Sequence, residues 1–158
     1  MIDYDLLCAQ AKSLILGVPH LIADLSNVSA LIFNSLERVN WAGFYIVEAD
    51  RLILGPFQGK PACVEIPFGR GVCGTAAKTD STLLVYDVHE FQGHIACDSD
   101  SNSEIVVPIH SKDKVVAVLD VDSPDTGRFT RDDLLGLEKL VKVLENEISG
   151  LFSEVNYV

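Results

Sequence analysis

Three cysteines lie in one stretch of the chain, between residues 61 and 107, and they are its most reactive groups. Cys63, Cys73 and Cys97 precede an acidic loop that runs through Glu104 into an apolar, strand-like run. A thiolate is a nucleophile, and a second thiol can condense with the oxidised first thiol to form a disulfide. We therefore interpret this stretch as bringing a nucleophilic thiol, a resolving thiol and an acid to one pocket.

The start of the chain bears on the redox state of these thiols. Residues 1–5 are acidic and lack the basic and apolar regions of a signal peptide, so we expect a cytoplasmic protein. In that compartment, four cysteines are more often reduced, catalytic or metal-binding than joined in structural disulfides. Cys8 lies on an apolar helical stretch, and we interpret it as a buried, inert thiol.

Cys73 lies in the segment Gly69–Gly74, which matches the G-x-G-x-x-G pattern of dinucleotide sites. That function is disfavoured, because Pro67 interrupts the preceding strand and the βαβ context is missing. The better interpretation is a tight turn into a helix, whose first backbone N–H groups bind a small anion such as a carboxylate. A thiol in a first helical turn has a lowered pKa, so Cys73 competes for a redox role.

Cys97 lies in a polar loop, where a thiol does not serve to fill space. Asp98 and Asp100 oppose its ionisation, whereas hydroxyl groups nearby can support a thiolate. The hydroxyl groups belong to Ser99, Ser101 and Ser103.

A zinc site drawn from Cys63, Cys73, Cys97, His89 or His94 gains little support from spacing. The chain has no C-x2-C or H-x3-H pair. We expect no metal and no cofactor, and we interpret the two histidines as polar loop residues.

Asp120 and Asp122 end an apolar strand-like run, two residues apart. Alternation along a strand places both carboxylates on one face. Crowded, buried carboxylates raise the pKa of at least one group, which yields a proton donor near neutral pH. The alternative to a functional role is that the strand frays into the turn at 123–125. Fraying accounts for a carboxylate at Asp122 more readily than for one at Asp120.

Trp41 and Tyr45 share one face of another predicted strand. Aromatic pairs of this kind usually belong to a core, but they also form the wall of a pocket for an apolar or sulfur-bearing group. The sequence leaves both interpretations open.

The elements that must position these residues follow from periodicity and from turn signals. Apolar spacing predicts helices over about 3–16, 20–38 and 72–79, and a last helix that opens after Thr130 with a capping box. Strands are predicted over about 40–48, 51–57, 63–68, 81–88, 104–110 and 114–122. Helices at both ends, with hairpin-like strands between them, predict an α+β fold with an antiparallel sheet, in one domain spanning 1–158.

Composition excludes several classes of partner. The net charge is −11, with 23 acidic residues against 12 basic ones, so nucleic acid and anionic membrane surfaces are disfavoured. Apolar runs such as Val115–Leu119 are too short to span a bilayer.

The chain resembles the free methionine-(R)-sulfoxide reductases, which are stand-alone GAF-domain enzymes. The resemblance covers nearly the whole chain. It is carried by five blocks: Asn40–Tyr45, Leu54–Cys63, Gly69–Gly74, Ile95–Asp98 and Leu119–Ser123.

The resemblance implies a GAF-like sheet and reduction of the free amino acid sulfoxide, with thioredoxin restoring the enzyme. It implies that Cys97 is the nucleophile, that Cys63 is the resolving thiol and that Cys73 is a second partner. It also suggests a homodimer. The residues implied to contact substrate are Trp41, Tyr45, Glu104, Asp120 and Asp122.

A sensory GAF module that binds a small ligand, or senses redox state, is the main rival. Such a sensor needs an output domain, for which 158 residues leave little room. We therefore favour the reductase.

Overall fold

A computed structural model describes residues 1–95, 97 and 99–154 of the chain. Two members of the block Ile95–Asp98, namely Ala96 and Asp98, lie outside the described residues. That Asp98 opposes ionisation of Cys97 therefore stays a prediction.

Six strands form one antiparallel sheet in the order β3-β2-β1-β6-β5-β4. Antiparallel pairing fits the short connections that the sequence predicts between these strands. The strands are β1 Trp41–Glu48, β2 Arg51–Gly59, β3 Glu65–Pro67, β4 Leu83–Val85, β5 Ser103–Ser111 and β6 Lys114–Ser123.

Four α-helices cover the two faces of this sheet. Apolar residues of α1, α2 and α4 share one core with the sheet, whereas α3 contributes to a second core on the opposite face. Two 3₁₀ turns, Val88–Glu90 and Ser149–Glu154, complete the described elements. The helices are α1 Tyr4–Ile15, α2 Leu21–Ser35, α3 Gly71–Thr79 and α4 Arg131–Ile148.

The helix ends follow their capping residues. Asp3 accepts a hydrogen bond from the Leu6 N–H at the start of α1, at 3.0 Å. Thr130 and Asp133 form the capping box predicted for α4, with both reciprocal bonds present. The α+β architecture with an antiparallel sheet is thus confirmed, and Cys8 is buried as predicted.

Strand β1 shows why the sheet supports two cores. Ala42, Phe44 and Ile46 point into the core shared with α1, α2 and α4, whereas Trp41 and Tyr45 point into the core shared with α3. The predicted alternation is confirmed, and its consequence is that Trp41 and Tyr45 lie on the α3 side.

Three predicted elements are longer than the observed ones. Helix α2 ends at Ser35 rather than near 38, because Leu36 is extended and Arg38 has a φ of 56°. The strand predicted over 63–68 is only β3, which begins two residues after the disulfide-bonded Cys63. The strand predicted over 81–88 is only β4, which is followed by the turn at Val88.

Within the described ranges, no helix is long and apolar enough to cross a membrane.

Candidate active site

Strand register places the predicted carboxylates side by side. Asp122 of β6 pairs with Trp41 of β1 on one side and with Glu104 of β5 on the other. Asp120 pairs with Gly43 in the next row of the same face. Because directly paired residues point to the same side of a sheet, Glu104, Asp120 and Asp122 share the face covered by α3.

A disulfide between Cys63 and Cys97 lies beside these carboxylates. The two Sγ atoms are 2.01 Å apart and the Cα atoms 5.4 Å apart, although 34 residues separate them in sequence. Cys63 comes from the segment between β2 and β3, and Cys97 from the loop that precedes β5. This is the pair that the resemblance implies, and which of the two thiols attacks substrate stays a prediction.

Two aromatic side chains hold the segment that carries Cys63. Tyr45 donates its hydroxyl hydrogen to the Cys63 carbonyl at 3.0 Å, and Trp41 Nε1 donates to the Lys60 carbonyl at 3.2 Å. The Trp41 ring also stacks on Phe57, with centroids 5.1 Å apart. These aromatics are therefore core residues that also line the cavity, and their contact with substrate stays a prediction.

The loop that carries Cys97 is tied down at both ends. The Gly71 N–H donates to the Gly93 carbonyl at 3.1 Å, which fixes the loop to the start of α3. At the other end, Lys60 Nζ pairs with Asp100 Oδ2, and Asn40 Nδ2 donates to Ser101 Oγ at 3.2 Å. The lysine that precedes Cys63 by three residues thus contacts an aspartate three residues after Cys97.

The environment of Cys73 contradicts the prediction that its thiol has a lowered pKa. This residue does lie in the first turn of α3, but its side chain is buried and its Sγ donates toward Glu104 Oε1 at 3.7 Å. Burial first, and then the charges of Asp120 and Glu104, raise the pKa of the Cys73 thiol well above its usual range. The helix dipole, whose effect is about 0.3–1 kcal/mol at exposed positions, does not offset burial and these charges.

The carboxylates have the raised pKa values that the sequence predicts for a crowded, buried pair. Burial and the charge of Asp120 raise the pKa of Glu104 well above its usual range. Burial and the charge of Asp122 do the same to the pKa of Asp120. Both groups therefore hold protons at pH values where ordinary carboxyl groups are ionised.

These residues surround a cavity of about 40 Å³. Its wall contains seven of the eight residues named from the sequence, and the eighth, Cys63, is bonded to one of them. The seven are Trp41, Tyr45, Cys73, Cys97, Glu104, Asp120 and Asp122.

Sequence reasoning missed a further part of the wall. His94 was expected to be a polar loop residue, but it lines the cavity, and burial lowers the pKa of its ring. Of the hydroxyl groups that the sequence placed near Cys97, Ser101 lines the cavity, whereas Ser103 donates to the Asp125 carbonyl at 2.6 Å. No sequence pattern places His94 in the wall, because it reaches the cavity only through the path of the loop. The remaining wall residues are small or apolar: Ala62, Ile66, Gly71, Val72 and Ile95.

The fold and the site together define a class of protein. A disulfide beside buried acids with raised pKa values, on an antiparallel sheet, is the site of a thiol-dependent oxidoreductase. The GAF domain family matches residues 19–148. The free methionine-R-sulfoxide reductase of Escherichia coli (strain K12) is 53% identical over 138 residues, which cover 87% of this chain and 84% of that protein.

Solved structures agree with this match. The reduced form of fRMsr of Staphylococcus aureus is 55% identical, with a TM-score of 0.91, and covers 94% of this chain and 96% of its own. A free methionine-R-sulfoxide reductase from Neisseria meningitidis, in complex with its substrate, is 40% identical with a TM-score of 0.91 over 96% and 92% of the two chains. The chain belongs to the free methionine-R-sulfoxide reductase family of GAF-domain proteins.

Proposed function

We propose that this protein reduces free L-methionine-(R)-S-oxide to methionine, using Cys97 and Cys63 as the source of two electrons. The observation that carries the proposal is the Cys63–Cys97 disulfide beside the buried acids Glu104 and Asp120. Names of relatives at about half identity over most of the chain support the same substrate.

The first step uses a thiolate and a proton donor. The Cys97 thiolate attacks the sulfoxide sulfur, while a neutral carboxyl group protonates the sulfoxide oxygen. Methionine departs, and Cys97 is left as a sulfenic acid that carries the oxygen. Glu104 is the candidate donor, because burial raises its pKa and so favours its protonated form; one of the aspartates is the alternative.

The second step restores a stable product. The Cys63 thiol condenses with the Cys97 sulfenic acid, so that a disulfide forms and one water molecule leaves. Thioredoxin then reduces this disulfide by thiol–disulfide exchange and is itself oxidised. Cys73 is the second resolving thiol, but its high pKa makes its thiolate scarce, which favours Cys63.

Substrate recognition uses opposite charges and an apolar wall. The substrate ammonium group pairs with a carboxylate of the Asp120 and Asp122 pair, and the Trp41 and Tyr45 rings contact its methyl and methylene groups. Its carboxylate rests on backbone N–H groups at the start of α3, where the N-cap Arg70 makes no side-chain capping bond.

Cavity size indicates which form of the enzyme binds substrate. The cavity of about 40 Å³ is far below the roughly 300–1,000 Å³ of ordinary ligand pockets. We therefore expect a whole amino acid to enter only when the Cys63–Cys97 bond is open. Reduction by thioredoxin both regenerates the nucleophile and readmits substrate.

A coupled assay tests the proposal. Consumption of NADPH through thioredoxin reductase and thioredoxin should appear with the free R epimer of methionine sulfoxide and vanish in Cys97→Ser. Cys63→Ser should accumulate a sulfenic acid that dimedone traps on Cys97. Cys8→Ser, at a buried position in the other core, is the matched control and should keep its turnover.

Other results would redirect the proposal. Full turnover in Cys97→Ser together with none in Cys73→Ser would assign the attack to Cys73. A non-catalytic sensory GAF module would bind the sulfoxide without consuming NADPH. The expected homodimer and the expected cytoplasmic location stay predictions, which light scattering and cell fractionation test.

A further inference from the structure

Three donor groups of different chemistry converge beneath the disulfide. The Cys73 sulfur and one carboxylate oxygen each from Glu104 and Asp120 all lie within 4.8 Å of one another. All three residues are buried, with 4%, 7% and 5% of their surfaces exposed. Thiolate and carboxylate oxygen are both ligands of Zn²⁺, which binds three or four such groups in a compact tetrahedral shell.

A separate observation at Asp120 points to a positively charged ligand. The Oδ1 atom of this residue is buried and has no hydrogen-bond partner among the residues that the structure describes. Buried carboxylate oxygens are normally paired, because leaving one unpaired is costly. The residue lines the cavity, so a cation that enters the cavity can reach this oxygen.

The size of the cavity selects a small ligand. A single water needs about 10–15 Å³ of such volume, so about 40 Å³ accommodates one metal ion with a water or two, but not an amino acid. Because Cys63 and Cys97 are bonded to each other, neither sulfur is available to a metal in this form. Any metal–sulfur bond in the cavity must therefore come from Cys73.

We propose that the disulfide form of this protein binds one thiophilic divalent cation, Zn²⁺ or Cd²⁺, through Cys73, Glu104 and Asp120. The cation replaces the protons that these groups otherwise hold, and no electrons are transferred. The site is distinct from the zinc ligands considered from the sequence, which included neither acid. Binding does not depend on the proposed function. If that function holds, a cation that stays bound after the disulfide is reduced occupies Asp120, which the substrate ammonium needs, and the proton donor Glu104, and it acts as an inhibitor.

Titration of the oxidised protein with Cd²⁺ alone tests the proposal. Sulfur-to-cadmium charge-transfer absorbance in the ultraviolet reports the thiolate bond, and calorimetry gives stoichiometry and Kd. The described free thiols of this form are Cys8 and Cys73. We expect one Cd²⁺ per chain in the wild type and in the matched control Cys8→Ser. Cys73→Ser should lose the absorbance and raise Kd at least about tenfold.

A carboxylate variant tests the same proposal if Cys73→Ser fails to fold. Glu104→Gln, which preserves shape, should raise Kd while the absorbance still develops at saturation. An absorbance that survives Cys73→Ser, that disappears in Cys8→Ser or that never appears would overturn the proposal. Equal affinity for Mg²⁺ would also contradict it, because Mg²⁺ prefers oxygen ligands and several waters. None of these readouts uses turnover, so a failure here is separate from a failure of the reductase assignment.

Discussion

Cys73 Sγ of α3 and Glu104 Oε1 of β5 lie 3.7 Å apart, although the two residues are 31 positions apart in sequence. This contact separates the thiols of the site into two kinds. Cys63 and Cys97 are bonded to each other, whereas Cys73 is held among acids that oppose its ionisation. A thiol in that environment serves better as a neutral hydrogen-bond donor than as a nucleophile.

The reactivity of Cys73 should follow from these acids. In the oxidised Cys8→Ser protein, iodoacetamide should label Cys73 far more slowly than a free cysteine at pH 7.5. At alkaline pH, where Glu104 ionises, its charge raises the thiol pKa, so Glu104→Gln should accelerate labelling several-fold there. Peptide mass spectrometry over time measures both rates. Rapid labelling of Cys73 in the parent protein would contradict the raised pKa.

Loss of Glu104 as a proton donor should lower kcat more than it changes KM. Glu104→Gln should lower kcat by about 10²–10⁴-fold, the usual contribution of general acid catalysis. Glu90→Gln, at an exposed position away from the cavity, is the matched control and should retain its activity. A loss confined to KM would assign Glu104 to substrate binding instead.

The same acid sets the alkaline limb of the pH profile. Burial raises the pKa of Glu104, so its protonated, active form persists to higher pH and is lost as pH rises through that value. We expect kcat with the wild type to fall on this limb, and Glu104→Gln to be nearly flat over the same range. Stopped-flow release of methionine in a single turnover isolates the step from thioredoxin reduction.

Tyr45 should stabilise the segment that carries the resolving thiol. Tyr45→Phe removes the hydrogen bond to the Cys63 carbonyl, which contributes about 0.5–1.5 kcal/mol. At this chain length that corresponds to a fall in Tm of about 2–4 °C per kcal/mol. Tyr86→Phe, at a side chain that is 66% exposed, should leave Tm nearly unchanged. Equal effects of the two variants would argue against the proposed role of this hydrogen bond.

His110, which does not line the cavity, should make the stability of the fold depend on pH. Its ring contacts Glu145 Oε1 at 2.9 Å and Asp80 Oδ1 at 2.6 Å, which links α4 to the end of α3. Burial opposes protonation, but the hydrogen bonds to Glu145 and Asp80 outweigh it and raise the pKa of His110.

Because the folded state holds this proton more tightly than the unfolded chain, the stabilisation is complete below the unfolded histidine pKa of about 6.5. It is lost as pH rises through the higher folded value. His110→Gln should therefore lower Tm by several degrees at pH 6 and by clearly less at pH 9. His20→Gln, at an exposed position without a capping bond, is the control. A deficit that is the same at both pH values would show that packing, not charge, is lost.

The periodicity of apolar residues and the turn-forming residues were enough to predict the fold class and the faces of the strands from the sequence alone. Alternation along β1 assigned Trp41 and Tyr45 to one face, and the spacing of Asp120 and Asp122 put both carboxylates on one face of β6. Such inferences succeed because side-chain direction along a strand depends only on local backbone geometry. The resemblance carried by five sequence blocks indicated the family, and it implied the roles of the cysteines.

Only the tertiary structure decided the electrostatics and the membership of the pocket. The first-turn position of Cys73 favoured a low pKa, but burial against Glu104 and Asp120 reversed the direction. His94 and Ser101 reached the wall through the path of one loop. Desolvation and through-space charge depend on which distant segments pack together, and no local pattern in the chain carries that information.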